Sequence, residues 1–502
     1  MIRLARAGFV LAREGAFLEI DAQALPPLAR PALALANMMA RGGVTGFSGL
    51  AAAIDRLGPS YVKLGQFLAT RPDIVGARVA AQLERLQDRT VPASQDFAVR
   101  QVEAAFEAKI DTVFAEFGEA VAAASIAQVH KAKVIDADGE RVVAVKVLRP
   151  GVQRRFNRDL ADMFFAARFA ERFLPGLKRL RFVEVVETLA RSVRMEMDFR
   201  LEAAAAAEFA ENLADETDFR APRIDWDRTT REILTMEWID GTPMTDPARL
   251  EALGFDAPLL GRRLIQSFLL HSLRDGFFHA DMHQGNFLVD ADGRIVALDF
   301  GIMGRLGLKE RRFLAEILFG FIRKDYLRVA EVHFEAGYVP HSYRVEDFAQ
   351  AIRAIGEPIH ARPAEQISMA KLLTLLFEVT ALFDMKTRLE LVMLQKTMVV
   401  VEGVARKLDP RLNMWATAEP VVGSWIADNL GPRGRIEDAG RAAVRLFRQF
   451  ERAGDRIDKV GRWIDSWDES PLDEEEDDQI ATLIALWIIA LALVWIAARL
   501  TF

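Results

Sequence analysis

A chain of 502 residues has room for several domains, and 51% hydrophobic with 27% charged residues is the balance of a folded protein, not a disordered one. A net charge of -7 argues against a nucleic-acid partner, which calls for a basic surplus. The absence of any cysteine excludes disulfides, thiolate metal sites and thiol nucleophiles.

Residues 1–115 read as a helical extension. Arg3, Arg6 and Arg13 sit among apolar residues at near-helical spacing, while Glu14 and Glu19 argue against a transit peptide. An amphipathic helix lying on a membrane or on its own domain is expected there. A helix over 51–57 runs into Gly58 and Pro59, a helix start, and the next helix, 60–70, stops before Pro72. Lys63, Gln66 and Phe67 share one face of it at i, i+3 and i+4. Taken alone, that stripe is better explained by solvation. Segments 77–87 and 95–108 are further amphipathic helices.

From 116 to 240 the texture changes. Residues 125–134 turn β-rich, 136–139 is a hairpin turn, and 140–148 is a strand ended by Pro150. Lys146 lies in the middle of that apolar strand, where a lysine is costly unless an anion meets it. The surrounding residues match the V-A-I-K pattern, whose lysine meets ATP phosphates and a helical carboxylate. One hairpin earlier stand Ala122, Ala123, Ala124 and Ser125, where a phosphate loop would lie. Alanines replace the glycines that usually let backbone amides approach phosphate, so this loop is stiff. Helices over 159–172 and 182–212 follow, the second bearing Glu196, Asp198 and Glu202, then a strand over 231–238. Spacing leaves open which of Glu196 and Glu202 pairs with Lys63 and which with Lys146.

Residues 241–460 are helical apart from one motif. His279, Asp281, His283, Gly285 and Asn286 are followed, thirteen residues after Asn286, by Asp299, Phe300 and Gly301. Two short strands, 287–289 and 295–298, joined by a turn at 290–293, fill the interval. Phosphoryl transfer needs oxygen ligands for magnesium on both sides of such a hairpin and a carboxylate facing the nucleophile. Asn286 and Asp299 are the expected Mg2+ ligands and Asp281 the catalytic carboxylate, with ATP lying between two lobes. An acidic linker over 461–479 contains six consecutive acids, 473–478. The last segment, 480–498, is nineteen residues without a charge, long enough at about 1.5 Å per residue to span a bilayer core. The expectation is an α+β, bilobed protein-kinase-like fold with an N-terminal helical extension and a C-terminal transmembrane helix.

Three other readings compete with this one. A zinc hydrolase using His279, Asp281 and His283 lacks the intervening Glu and the helical context of such sites. A monooxygenase lacks a dinucleotide fingerprint and any clear iron triad. A non-catalytic nucleotide-binding scaffold would keep every metal-binding residue, and the sequence does not separate it from an enzyme.

Taken together, Lys63, Gly65 and Gln66, the Ala122–Ser125 loop, Glu196 and Asp198, the 279–286 motif and Asp299–Gly301 resemble the UbiB family of atypical kinase-like proteins over about residues 50–320. The resemblance implies a K-x-G-Q helix, bearing Lys63 and Gln66, folded across the active site and met by Glu196 and Asp198, with Glu202 pairing Lys146. It implies ATP and Mg2+ as cofactors and a role in ubiquinone biosynthesis. Partners would be membrane lipid or polyprenylated quinone precursors and a biosynthetic protein complex. The place would be the bacterial inner membrane, with the soluble part cytoplasmic. The label of polyprenylphenol hydroxylase, once attached to the family, is the weaker alternative. One departure stands out: the family loop reads H-A-D-P-H-P-G-N, and Met282 and Gln284 replace both prolines here, which predicts a freer loop.

Overall fold

The computed structural model describes residues 2–18, 30–41, 46–69, 92–137, 139–173, 181–360 and 389–431, with scattered positions between 75 and 86 and between 375 and 385. Residues 1–426 form one compact unit; of the second, 427–502, only 427–431 are described. The acidic run and the uncharged segment 480–498 therefore lie outside the described residues, as does most of 77–87. Among the described residues no helix is long and apolar enough to cross a membrane.

The N-terminal helix Ile2–Arg13 lies on its own domain, against the helix Gly46–Leu57. Glu14, just past its end, is buried and meets Arg56 and, at 3.4 Å, Arg41. The K-x-G-Q helix runs Pro59–Ala69. Its Gly65 faces Leu86 and Ile54 so closely that a Cβ there would lie 2.4 Å from the Leu86 methyl, so only glycine fits without a shift.

Ten strands occur among the described residues. The first six are β1 (Glu116–Ala123), β2 (Ala127–Asp136), β3 (Gly139–Leu148), β4 (Phe219–Arg220), β5 (Ile233–Glu237) and β6 (Gly241–Pro243). The others are β7 (Phe277–His279), β8 (Phe287–Asp290), β9 (Ile295–Ala297) and β10 (Met303–Arg305). An antiparallel sheet in the order β1-β2-β3-β5 carries the N-terminal half. β3 is internal and both of its faces are covered, which is why its sequence is an almost unbroken apolar run. Val143, Val145 and Val147 pack with Val102 of the helix Gln95–Phe106. Ala144 and Leu148 join the opposite cluster, with Phe156, Leu160, Leu189 and Phe199. Strand alternation puts Lys146 on that second face, opposite Val129 of β2 and Leu234 of β5.

The expected helix 182–212 is two helices, Phe182–Glu196 and Phe199–Asn212. Asp198 breaks it. Its backbone is extended and its carboxylate accepts from Arg200 N, an N-cap that starts the second helix afresh. The amide of Phe199 donates to Arg231 O and ties the break to the start of the sheet's last strand.

In the C-terminal half, the helix Ala257–Leu270 passes into a π turn, His271–Asp275. Gly276 ends it at φ +65°, with Leu306 O 2.5 Å from where a Cβ would stand. β7 then enters the motif and pairs with β10, while β4-β9-β8-β6 forms a small second sheet. β1 and the four short strands β4, β6, β7 and β10 were not expected from the sequence. Packed around them is the largest core cluster, in which Phe209, Phe219, Phe268, Phe278 and Phe287 are fully buried.

Phe209 touches Phe219, Phe277 and Phe300 ring to ring. Phe209→Ala should cost about 3–5 kcal/mol, as other Phe-to-Ala core truncations do, and Phe209→Leu distinctly less. Thermal midpoints of the three proteins check this; equal midpoints for wild type and Phe209→Ala would contradict the packing described.

Candidate functional site

The pairing of β7 with β10 explains how two motif pieces distant in sequence become neighbours. His279 lies opposite Met303, and Ala280 N donates to Ile302 O at 3.0 Å. On the other side, the β8–β9 hairpin sets Phe287 opposite Ala297, and Leu298 N donates to Asn286 O at 2.9 Å. Asn286 thus stands across the ladder from the residue just before Asp299. Asp290 fixes the turn of this hairpin by accepting from the amides of Asp292 and Arg294.

Lys146 meets both anionic elements. Its Nζ donates to Glu202 Oε1 and Oε2 at 2.8 and 2.9 Å and to Asp299 Oδ2 at 3.5 Å. The side chains of Lys146 and Glu202 are 13% and 8% exposed, whereas that of Asp299 is 46% exposed. Burial pulls the Lys146 amine down, but the Asp299 and Glu202 charges outweigh it and hold it above the ordinary lysine range. Burial also pushes Glu202 up, partly offset by Lys146. Asp299 moves the other way: burial would raise it, but Lys146, the Gly301 amide, His279 and Lys63 together hold it below the usual carboxylate range. Solvent reaching Asp299 screens part of that effect.

The extension supplies a second cation. Lys63 Nζ lies 2.9 Å from Glu196 Oε2, both side chains about six-sevenths buried, and its charge is felt at Asp299. The question left open by spacing is settled geometrically: Lys63 with Glu196, Lys146 with Glu202. Among the described residues Asp198 makes no ion pair with the extension; it caps its helix and pairs with Arg200 at 2.7 Å, and the Arg200 hydrogen bond lowers its carboxyl. Gln66 is half-buried on the same helix as Lys63.

Ala122 and Ala123 end β1, and Ala124, Ser125 and Ile126 turn the chain into β2. The turn is held by Ala124 N donating to Ala127 O at 2.8 Å and by Arg149 donating to Ala124 O at 3.1 Å. Ser125 Oγ is buried with no hydrogen-bond partner among the described residues. Beneath the hairpin, Gln128 accepts from Ala93 N at 2.7 Å and meets His130, whose Nδ1 faces Gly118 O at 2.9 Å. Burial lowers His130, whose ring links Gln128 on β2 to Gly118 on β1, while Gln128 itself carries the contact to Ala93.

The Asp281 side chain is partly exposed, its Oδ2 3.4 Å from Asn286 Nδ2 and 3.7 Å from His283 Nε2. Asn286 Nδ2 also donates to Asp281 O at 2.9 Å, which leaves its Oδ1 as the atom for a cation. His279 is buried, and desolvation lowers it. Its Nδ1 accepts from Asp281 N at 3.1 Å while Nε2 donates to Asp299 O. With both ring nitrogens committed to backbone groups, His279 is not available as a zinc ligand. That removes the structural basis of the hydrolase alternative and shows what sequence reading missed: His279 clamps the two motif pieces together. Thr397 was also missed; from the helix Leu389–Leu408 it reaches Ala280 O at 3.0 Å.

Residues 85–333 match the ABC1 atypical kinase-like domain, and 352–413 the UbiB helical domain. A probable protein kinase UbiB of Marinobacter nauticus is 40% identical over 390 residues, 77% of this chain and 71% of that protein. A solved complex of Rv3197 with erythromycin, from Mycobacterium tuberculosis, is 26% identical with a TM-score of 0.50, covering 72% of this chain and 90% of that one.

Removing one member of a buried ion pair leaves the other uncompensated, at about 3–5 kcal/mol. Lys146→Met should therefore destabilise the protein near pH 8. The sign with pH follows from the shifts. Asp299, lowered on folding, stabilises the wild type above the ordinary carboxylate range and loses that contribution as pH falls. Glu202, raised by burial and no longer offset in the variant, takes up a proton on acidification. Between pH 8 and pH 5 the Glu202 proton uptake narrows the gap between the two proteins, while the Asp299 contribution is lost only at lower pH, below the ordinary carboxylate range. Thermal melts at the two pH values test it; a gap that widens on acidification contradicts the assignment.

Proposed function

Because the chain belongs to the UbiB family of atypical kinase-like proteins, we propose that it binds ATP with Mg2+ and uses it in phosphoryl transfer or hydrolysis supporting ubiquinone biosynthesis. The observation that carries this reading is the convergence of Lys146, Glu202 and Asp299 beside a partly exposed carboxylate, Asp281. The donor set suits a hard divalent cation, with Asn286 Oδ1 and the Asp299 carboxylate as oxygen ligands from opposite sides of one hairpin. When bound, the metal and nucleotide supply the transferable phosphoryl group and neutralise its charge. Lys146 holds the phosphates, oriented by Glu202. The 122–125 turn covers them, with the Ser125 hydroxyl buried in it. Asp281 accepts the proton of the incoming hydroxyl or positions water, and neutral His279 keeps Asp281 and Asp299 at fixed separation. Lys63 and Gln66, on the extension, lie across the entry and favour a small or lipid acceptor over a protein one.

The uncharged segment 480–498 supports a membrane tether, and ATP use supports a cytoplasmic catalytic face at the bacterial inner membrane. Polyprenylated precursors and a biosynthetic complex are the partners this reading implies. A nucleotide-binding scaffold remains the second reading, since the same side chains serve it.

Thermal stabilisation by ATP with MgCl2 should reach about 2.7 kcal/mol at a hundredfold excess over Kd, shrink in Lys146→Ala, and lose its magnesium dependence in Asp299→Asn. ATP consumption in liposomes should fall in Asp299→Asn. Equal slow consumption by wild type and variant, with stabilisation intact, would favour the scaffold; an undiminished shift in Lys146→Ala would remove the pocket itself.

A further inference from the structure

The loop that presents Asp281 alternates. Asp281 and His283 have partly exposed side chains, while positions 280, 282 and 284 are engaged elsewhere. Thr397 Oγ1, on a residue 1% exposed, shares its one proton between Ala280 O at 3.0 Å and Met393 O at 2.8 Å. Met282, 1% exposed, joins the core cluster to which Leu394, Met398 and Val401 belong. Gln284 Oε1 accepts from Lys407 Nζ at 2.9 Å. Thr397, Lys407 and those three apolar residues all lie on the helix Leu389–Leu408, within the helical-domain match and beyond the kinase-like one.

Met282 and Gln284 are the two positions at which the family pattern has proline. A proline stiffens a loop by fixing φ within the loop itself. Here position 284 is held from outside by Lys407, and Met282 is buried in the core cluster. We infer that the helix Leu389–Leu408 is the positioning element for Asp281, holding the catalytic loop through Thr397 on Ala280 and through Lys407 on Gln284. The seating of the loop therefore depends on another part of the chain. This rests on the proposed role of Asp281 for its catalytic consequence, though not for its structural one.

Gln284 opens a short 3-10 turn behind an extended His283, φ -74° and ψ 149°, which is the backbone that precedes proline readily. That permits a rescue experiment. In the full chain reconstituted in liposomes, Thr397→Val keeps the volume and removes the donor. Amide exchange in peptides covering 280–285 should speed up roughly three- to tenfold, the worth of one hydrogen bond, with the other segments unchanged. kcat for ATP should fall about tenfold through misplacement of Asp281, while KM for ATP stays put because Lys146 and the 122–125 turn are untouched. Thr397→Ser should behave as wild type. Gln284→Pro added to Thr397→Val should restore slow exchange and most of kcat. Lys407→Ala, a surface change that leaves folding intact, should act in the same direction more weakly, and its effect should vanish in the Gln284→Pro background.

Wild-type exchange in Thr397→Val, or a Thr397→Ser protein as impaired as Thr397→Val, overturns the inference. If wild type turns over no ATP but exchange follows this pattern, the brace stands and the proposed activity falls. If turnover is normal and exchange is indifferent to Thr397, the activity stands and the brace falls.

Discussion

The site depends on one buried amine. Lys146 sits on an internal strand whose neighbours on both faces are apolar, and an ammonium there persists only because Glu202 and Asp299 meet it. The demand propagates outward. β3 must be flanked on both sides to hold the strand still, a helix must begin close enough for Glu202 to reach in, and the chain must return after 153 residues with Asp299. Two carboxylates against one ammonium leave the cleft electronegative. A divalent cation gains from that surplus, whereas a bare anion would be repelled. The nearby charge of Lys63 moderates the surplus from the side of the extension.

Much of this was legible in the residues. The interval between Asn286 and Asp299 fits one hairpin, and the hairpin forms where two short apolar runs flank the turn at Gly293. The position of Lys146 in its strand, and the turn at 136–139, followed from alternation and turn chemistry. What was not legible falls into two physical classes. Strands of two or three residues, such as β7 and β10, are too short to show a period, yet they bring Asp281 beside Asp299. Contacts between remote segments leave no local mark: nothing around Thr397 in the sequence announces that its hydroxyl serves residue 280.

The break at Asp198 belongs to neither class. An Asp with an acidic residue in the following turn is an N-cap signature, and it stood in the sequence between Glu196 and Glu202. The apolar and alanine-rich periodicity on both sides outweighed it in a reading by pattern. The break matters because it gives the two carboxylates separate tasks. Glu196 closes one helix and faces the extension; Glu202 lies in the first turn of the next and faces the strand lysine.

Glu196 and the 280–284 loop have a common property: each is completed by a residue outside the stretch 85–333 that matches the kinase-like domain, Lys63 before it and Thr397 after it. A fragment trimmed to that stretch would strand a largely buried carboxylate and unmoor the loop at the same time. The kinase-like segment is thus not a portable module. Its side chains are held in place by supports lying on both sides of it in the chain.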